Sequence, residues 1–214
     1  MTDTTANNKR IAKNTIMLYF RMILLMVIGL FTSRVILQAL GVEDYGINSV
    51  IAGFLSMFGI ITSSMSSAIS RFITVELGKG DNQKLKQVFS TSVSVQLFMG
   101  AILMILIETF GMWFVISKMQ IPEGREYAAQ WCLHCAAITT LISLVNVPFN
   151  AVIVAHEKMS TFAYVSILEA ILKLAICYAI YISPIDKLIT YACLGVVVSL
   201  IIRFVYWIYC KRHF

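Results

Sequence analysis

Six long apolar runs, separated by short charged connections, decide what this chain can fold into. They lie at about Thr15–Leu40, Ile47–Ile73, Val88–Ser117, Ala128–Ala155, Ser160–Ser183 and Leu188–Cys210. A helix of roughly 25 residues rises roughly 37 Å, enough to cross a hydrocarbon core of about 30 Å with some tilt. Inside that core the backbone finds no water, so a crossing segment must satisfy its own hydrogen bonds, as a helix does. The expected fold class is all-α: a polytopic membrane protein built as one bundle of about six transmembrane helices. The charged fraction agrees, at 13% against about 25% in soluble domains, and mean hydropathy is +0.82.

The connections are short. "GVEDYG" reads as a turn punctuated by Gly41 and Gly46, "ELGKGDNQKLKQ" as the most polar loop, and "KMQIPEGREY" as a loop broken by Pro122 and Gly124. "HEKM" is a tight connection, "PIDK" turns the chain, and "KRHF" ends it. Lys and Arg in such loops set orientation, because cytoplasmic loops carry the excess. With the N-terminus inside, the inner loops hold Lys9, Arg10, Lys13, Arg71, Lys79, Lys84, Lys86, Lys158, Lys211 and Arg212. The outer loops hold only Lys118, Arg125 and Lys187. Both termini are therefore expected in the cytoplasm, with residues 1–12 as a tail, 13–210 as the transmembrane lobe and 211–214 as the inner end. The first run is too long for a signal-peptide core and no cleavage site stands out, so it reads as a retained span. The net charge of +6 belongs to this topology rather than to nucleic-acid binding.

Chemistry-bearing motifs are sparse. His134, His156 and His213 are scattered, and no metalloprotease, nucleophile-elbow or phosphate-loop pattern is present. "CLHC" at Cys132–Cys135 offers one cysteine pair and one histidine, short of a structural zinc set, and reads better as soft packing between helices. All five cysteines fall in or beside apolar runs, which argues against a disulfide framework. No cofactor, no metal and no enzyme activity are expected.

The four basic residues within the spans are Arg21, Arg34, Lys173 and Arg203. Counting from Lys13, Arg21 lies about 12 Å in, and Arg203 sits at a similar inner depth. Both either snorkel to the inner headgroups or face a cavity. Arg34 and Glu108 lie nearer the outer face. Glu169 and Lys173 stand near the midplane, spaced i,i+4 with the acid first, and can pair along one helix face. Such a pair is either self-neutralising or part of a charged patch meeting an aqueous cavity. "ITSSMSSAIS" makes the second span small and polar, which suits close packing or a wet lumen. In "NVPFN", Pro148 should kink the fourth span, and Asn146 and Asn150 share a face as cavity-lining or hinge residues.

Several stretches read together carry a resemblance: "SRVILQALGVEDYGINSVIAGFLSMF", "SSAISRFITVELGKGDNQKLKQVFSTS" and "NVPFNAVIVAHEKMSTFAYVSILEAILKL". With the six-span layout, the chain from about Lys13 to Cys210 resembles the N-terminal half of a Wzx-type lipid-linked oligosaccharide flippase, in the MATE-like exporter superfamily. The resemblance implies one lobe of a two-lobed fold around a central basic cavity. It implies translocation of undecaprenyl-pyrophosphate-linked sugar units across the bacterial cytoplasmic (inner) membrane for surface polysaccharides such as O-antigen, alongside the polysaccharide-assembly machinery. Arg21, Arg34, Lys173 and Arg203 would meet the pyrophosphate, and Glu169 would temper Lys173 or take part in ion coupling. Such flippases are about twice this long. The expectation is a truncated lobe, a lobe that pairs with a separately encoded half, or a homodimer. A MATE-like small-molecule exporter lobe and a non-transporting membrane scaffold are the alternatives.

Overall fold

The computed structural model of the protein describes residues 2–182 and 186–213, with side chains at Asn8, Ala12, 14–181 and 186–213. The first two residues of the "PIDK" turn and the side chains of Lys9, Arg10 and Lys13 lie outside the described residues. The helices are α1 (Thr2–Leu40), α2 (Val42–Ser56), α3 (Gly59–Lys79), α4 (Asn82–Leu106), α5 (Met112–Ser117), α6 (Glu126–Ala155), α7 (Met159–Ile182) and α8 (Lys187–His213). A five-residue π-helical segment, Ile107–Gly111, joins α4 to α5. No strand occurs among the described residues.

Five of these stretches are long and apolar enough to cross a membrane, and α2 with α3, bent by 47°, makes a sixth. The protein is an all-α, multi-pass membrane protein. Side chains such as Phe20, Ile23, Phe98, Trp113, Tyr164 and Phe204 are exposed on the bundle, as a lipid-facing surface requires.

Three local features depart from the simple six-run reading. The first turn needs one residue, not six. Gly41 takes φ 84, a left-handed conformation that costs glycine nothing, and α2 starts directly after it with Gly46 inside the helix. The second run is broken at Met57–Phe58. There Ser56 Oγ bonds back to the Gly53 carbonyl at 2.6 Å and Gly59 follows, a glycine/serine context that weakens the helical ladder. Third, the π segment inserts a wider turn in the third run at Glu108. Pro148, expected to kink the fourth run, lies buried within α6, which continues through it as one helix.

At the end that carries the α3–α4 and α6–α7 turns, called the inner end after the expected topology, Gly80 closes α3 in the left-handed region and Asp81 caps α4. The backbone N–H groups of Lys84 (3.0 Å) and Gln83 (3.1 Å) donate to Asp81 Oδ1. The Lys84 N–H above all holds the Asp81 carboxyl below the usual carboxylate range.

α6 is the central post. One core cluster joins α1, α7 and α8 to Phe149 and Ile153; a second joins α2, the π segment and α5 to Ala129, Leu133 and Ala137; a third joins α3 to Val147, Ala151 and Val152. Among the described residues α1 packs along α7, meets α2 beside the Gly41 turn and makes no substantial contact with α3. Among the described residues the side of the bundle between α1 and α3 is thus sparsely packed, with the α1–α2 contact its main tie.

Glycines let α6 come close to the third span. A Cβ at Gly111 would stand 2.9 Å from Leu133 Cδ1 and 3.3 Å from Phe54 Cε1, while at Gly100 its nearest neighbour is Leu141 Cδ1 at 3.0 Å. Leu133 is fully buried, so it has little room to yield. Gly111→Ala should therefore destabilise the detergent-solubilised protein by about 1–3 kcal/mol, and more than Gly100→Ala. Thermal midpoints of the two variants check the order.

Candidate functional site

The two ends of the bundle are organised by different charges. At the outer end Arg125, just before α6, forms an ion pair with Asp44 of α2 at 3.0 Å and another with Asp186, which caps α8. Three connections predicted on one side of the membrane are thus joined by one guanidinium. Asp44 is 1% exposed, so this acid is taken fully out of solvent at the end of a span. A shallow pocket beside it is lined by Glu43, Lys118 and Pro122.

The inner half holds a polar seam between α6, α8, α1 and α7. Arg203 Nη1 donates to the Val145 carbonyl at 3.4 Å and to Asn146 Oδ1 at 3.5 Å, and its guanidinium lies 4.1 Å over the Phe149 ring. One turn nearer the inner end, Asn150 is within hydrogen-bonding reach of Tyr206, which also lies in the field of Glu169 and Arg21. The Arg21 guanidinium sits 4.2 Å over Phe162 of α7, close to the start of that helix, and so leans toward the inner end. Burial of Asn146, Pro148 and Tyr206 is nearly complete.

Several polar atoms in the seam and elsewhere in the interior have no partner. Arg21 Nε, Thr32 Oγ1, Asn150 Oδ1 and both amide atoms of Gln96 are buried without a hydrogen bond among the described residues. Each such atom costs on the order of 1–3 kcal/mol if nothing binds it. A water or a polar ligand is therefore the natural complement of this interior.

The structure thus gathers Arg21, Arg203, Asn146, Asn150 and Glu169 along adjoining faces, with Tyr206 between them. Lys173 bonds Glu169 at 2.7 Å as the i,i+4 spacing implies, and remains more than half exposed. Arg34 is not gathered. It is exposed on α1 and lies 13 residues beyond Arg21, which is about 20 Å along the helix. In "ITSSMSSAIS" the hydroxyls of Thr62, Ser63, Ser64 and Ser67 bond carbonyls three or four residues earlier.

Sequence reasoning left one pair apart that the fold joins. Glu108, in the π segment, and His134 of α6 meet at 2.6 Å through Oε2 and Nδ1. They are 26 residues apart, and no local pattern links them. His134→Phe should cost about 2 kcal/mol by leaving the carboxyl unpaired, and adding Glu108→Leu should recover most of it. Unfolding midpoints of the single and double variants test this. His134 also belongs to "CLHC", whose two thiols are buried on α6. Cys135 Sγ faces Cys193 Sγ at 3.9 Å as a free thiol, and Cys132 contacts Asn48. Among the described residues no three metal-ligating side chains come together.

A six-crossing bundle with a polar inner seam is consistent with several transport folds, so comparison with known families decides between them. The MatE family model matches residues 18–179. The chain belongs to the MatE family. MatE proteins are membrane exporters and flippases, transporters rather than enzymes. The match runs from α1 through nearly all of α7 and takes in Arg21, Glu108, His134, Asn146, Asn150, Glu169 and Lys173; Arg203 lies beyond it. The "Uncharacterized membrane protein EpsK" of Bacillus subtilis (strain 168) is 20% identical over 176 residues, which is 80% of this chain and 34% of that protein. The MatE chain therefore spans about a third of the length of the curated relative it matches. No solved structure matches it.

Proposed function

We propose that this MatE chain forms one lobe of a flippase that moves undecaprenyl-pyrophosphate-linked oligosaccharides across the bacterial cytoplasmic membrane for surface polysaccharide synthesis. The observation that carries the reading is the inner seam. Two arginines on different helices, each backed by an aromatic ring, stand in successive turns of the seam beside two asparagines and a tyrosine. Guanidinium groups bind phosphate oxygens in a planar, bidentate manner and desolvate more readily than ammonium groups, so they fit a pyrophosphate entering from the cytoplasmic leaflet. The asparagines and the tyrosine supply neutral hydrogen bonds for sugar hydroxyls.

In this reading Lys173 and Arg34 extend the positive path outward, and Glu169 keeps Lys173 neutralised until the anion arrives. Asn146, Pro148 and Asn150 line the passage. Pro148 cannot donate to the carbonyl four residues earlier, which makes α6 a place to bend as the lobe moves. The open flank between α1 and α3 faces a second six-helix lobe, from a second copy or another polypeptide, and the two enclose the path. The assembly works beside the machinery that polymerises the exported units.

The Glu108–His134 pair favours a second reading, a MATE-like exporter lobe for small cations. A carboxyl and an imidazole at membrane depth can exchange a proton against a positively charged substrate. The two readings differ in cargo. Reconstituted in vesicles with its facing lobe, the protein should speed the appearance of a fluorescent pyrophosphate-linked polyprenyl oligosaccharide in the opposite leaflet. Transport of a lipophilic cation with no effect on that lipid would instead establish the exporter. No movement of either would leave a membrane scaffold.

A further inference from the structure

At the inner end a groove of about 640 Å³ opens between α4, α6 and α8. That lies within the range of small-ligand sites, about 300–1,000 Å³. Its walls are apolar: Leu85 and Phe89 from α4, Phe149 and Val152 from α6, and Trp207 from α8. Its rim is basic. Lys86 comes from one side and Lys211 from the other, with His156 and His213 beside them. Lys211 Nζ stands 4.9 Å over the Trp207 ring, and His213 stacks on Tyr209 at 4.3 Å. No carboxylate lines the groove among the described residues. The neighbouring Asp81 is engaged by Lys84 at 3.4 Å, and Glu157 sits on the adjacent α6–α7 turn. Deeper in, Arg203 lies over the ring of Phe149, outside the lining.

We propose that this groove holds the headgroup of an anionic phospholipid from the cytoplasmic leaflet, its phosphate between Lys86 and Lys211 and its acyl chain along Phe89, Phe149, Val152 and Trp207. Both halves of the ligand are required by the lining. A soluble anion leaves the aromatic wall uncovered, and a zwitterionic lipid leaves the two lysines without a net counter-charge. The depth is right for a lipid, because Lys86 lies one turn into α4 and Lys211 in the last turn of α8. Trp207, one turn deeper on α8 and partly exposed, suits the interfacial belt. Basic pockets between spans on this side of a membrane are where acidic headgroups bind. The site differs from the seam proposed for transport in its charged residues, Lys86 and Lys211, and meets that seam at the shared Phe149 ring.

Native mass spectrometry of the delipidated full chain, given equal amounts of phosphatidylglycerol and phosphatidylcholine of the same acyl length, tests it without any transport assay. The expected result is preferential retention of phosphatidylglycerol. Lys86→Gln with Lys211→Gln should lower that retention by about tenfold or more, each lysine near an acidic headgroup contributing about 1 kcal/mol. Both side chains are exposed and outside the core, so the fold is preserved. Lys118→Gln with Lys187→Gln, at the outer end, should leave retention unchanged. Equal retention of the two lipids, or undiminished phosphatidylglycerol on the inner-end variant, would overturn the proposal. So would displacement of phosphatidylglycerol by millimolar inorganic phosphate, since that would make the groove a soluble-anion site.

Discussion

Arg125→Met should cost the bundle about 3 kcal/mol, because removing one partner of a buried ion pair strands the other. The stranded group is Asp44, at 1% exposure. Arg125 itself is one-third exposed, which keeps the figure at the low end of what buried pairs lose. The loss should be concentrated at the outer end, where this side chain ties α2 and the start of α8 to the loop before α6. Hydrogen exchange should show α2 opening earlier than α7. Asp44→Asn should cost less, since the amide is neutral and Arg125 keeps Asp186. The double variant Asp44→Asn/Arg125→Met should be more stable than Arg125→Met alone, which a double-mutant cycle on thermal unfolding would read directly. Equal losses for Arg125→Met in the presence and absence of the Asp44 carboxylate would show that the pair contributes nothing.

Much of the fold was legible from hydropathy because a bilayer leaves a spanning backbone few choices. Runs such as Ala128–Ala155 and Ser160–Ser183 emerge as α6 and α7 within about two residues where the structure describes them. That the first, third and fifth connections share one end of the bundle was equally readable from the alternation of spans, and Arg125 joins Asp44 and Asp186 there. What hydropathy could not show was irregularity within an apolar run. The bend at Met57–Phe58 and the π segment at Ile107–Gly111 leave composition unchanged. The signals were Gly59 beside Ser56, and a lone carboxyl, Glu108, that needed a neighbour. The one-residue turn at Gly41 was overestimated because Gly46 also looks like punctuation, yet a helix interior tolerates glycine at about 1 kcal/mol.

The candidate site divides along the same line. Glu169 and Lys173 were readable as a pair because helical spacing puts i and i+4 together. Arg203 with Asn146 and Glu108 with His134 were not, because 57 and 26 residues separate them and only tertiary packing closes those distances. Tyr206 and Gln96 gave no sequence signal at all. One tyrosine and one glutamine in apolar helices look like ordinary interfacial or packing residues until their neighbours are known.

On the flippase reading proposed above, Arg21→Gln with Arg203→Gln should abolish flipping while leaving an inserted, folded lobe. Glutamine keeps a polar, hydrogen-bonding side chain of similar reach, so the seam loses charge rather than volume. Each lost charge-assisted phosphate contact is worth about 2 kcal/mol, or roughly thirtyfold in affinity, and the two arginines reach the seam from different helices. The single variants should therefore weaken transport in steps and the double variant should fall to the rate of empty vesicles. Arg→Lys at the same positions should recover only part, because an ammonium offers no planar fork to the phosphate. Stability should fall only modestly, by about 1–2 kcal/mol per lost ring contact, because neither arginine carries an ion pair among the described residues and the Arg203 hydrogen bonds are long. Lys173→Gln should have a smaller effect, since its partner Glu169 already neutralises it. If the double variant flips at the unsubstituted rate, the pyrophosphate does not pass the seam. The unpaired atoms of Arg21, Asn150 and Gln96 would then belong to buried water instead.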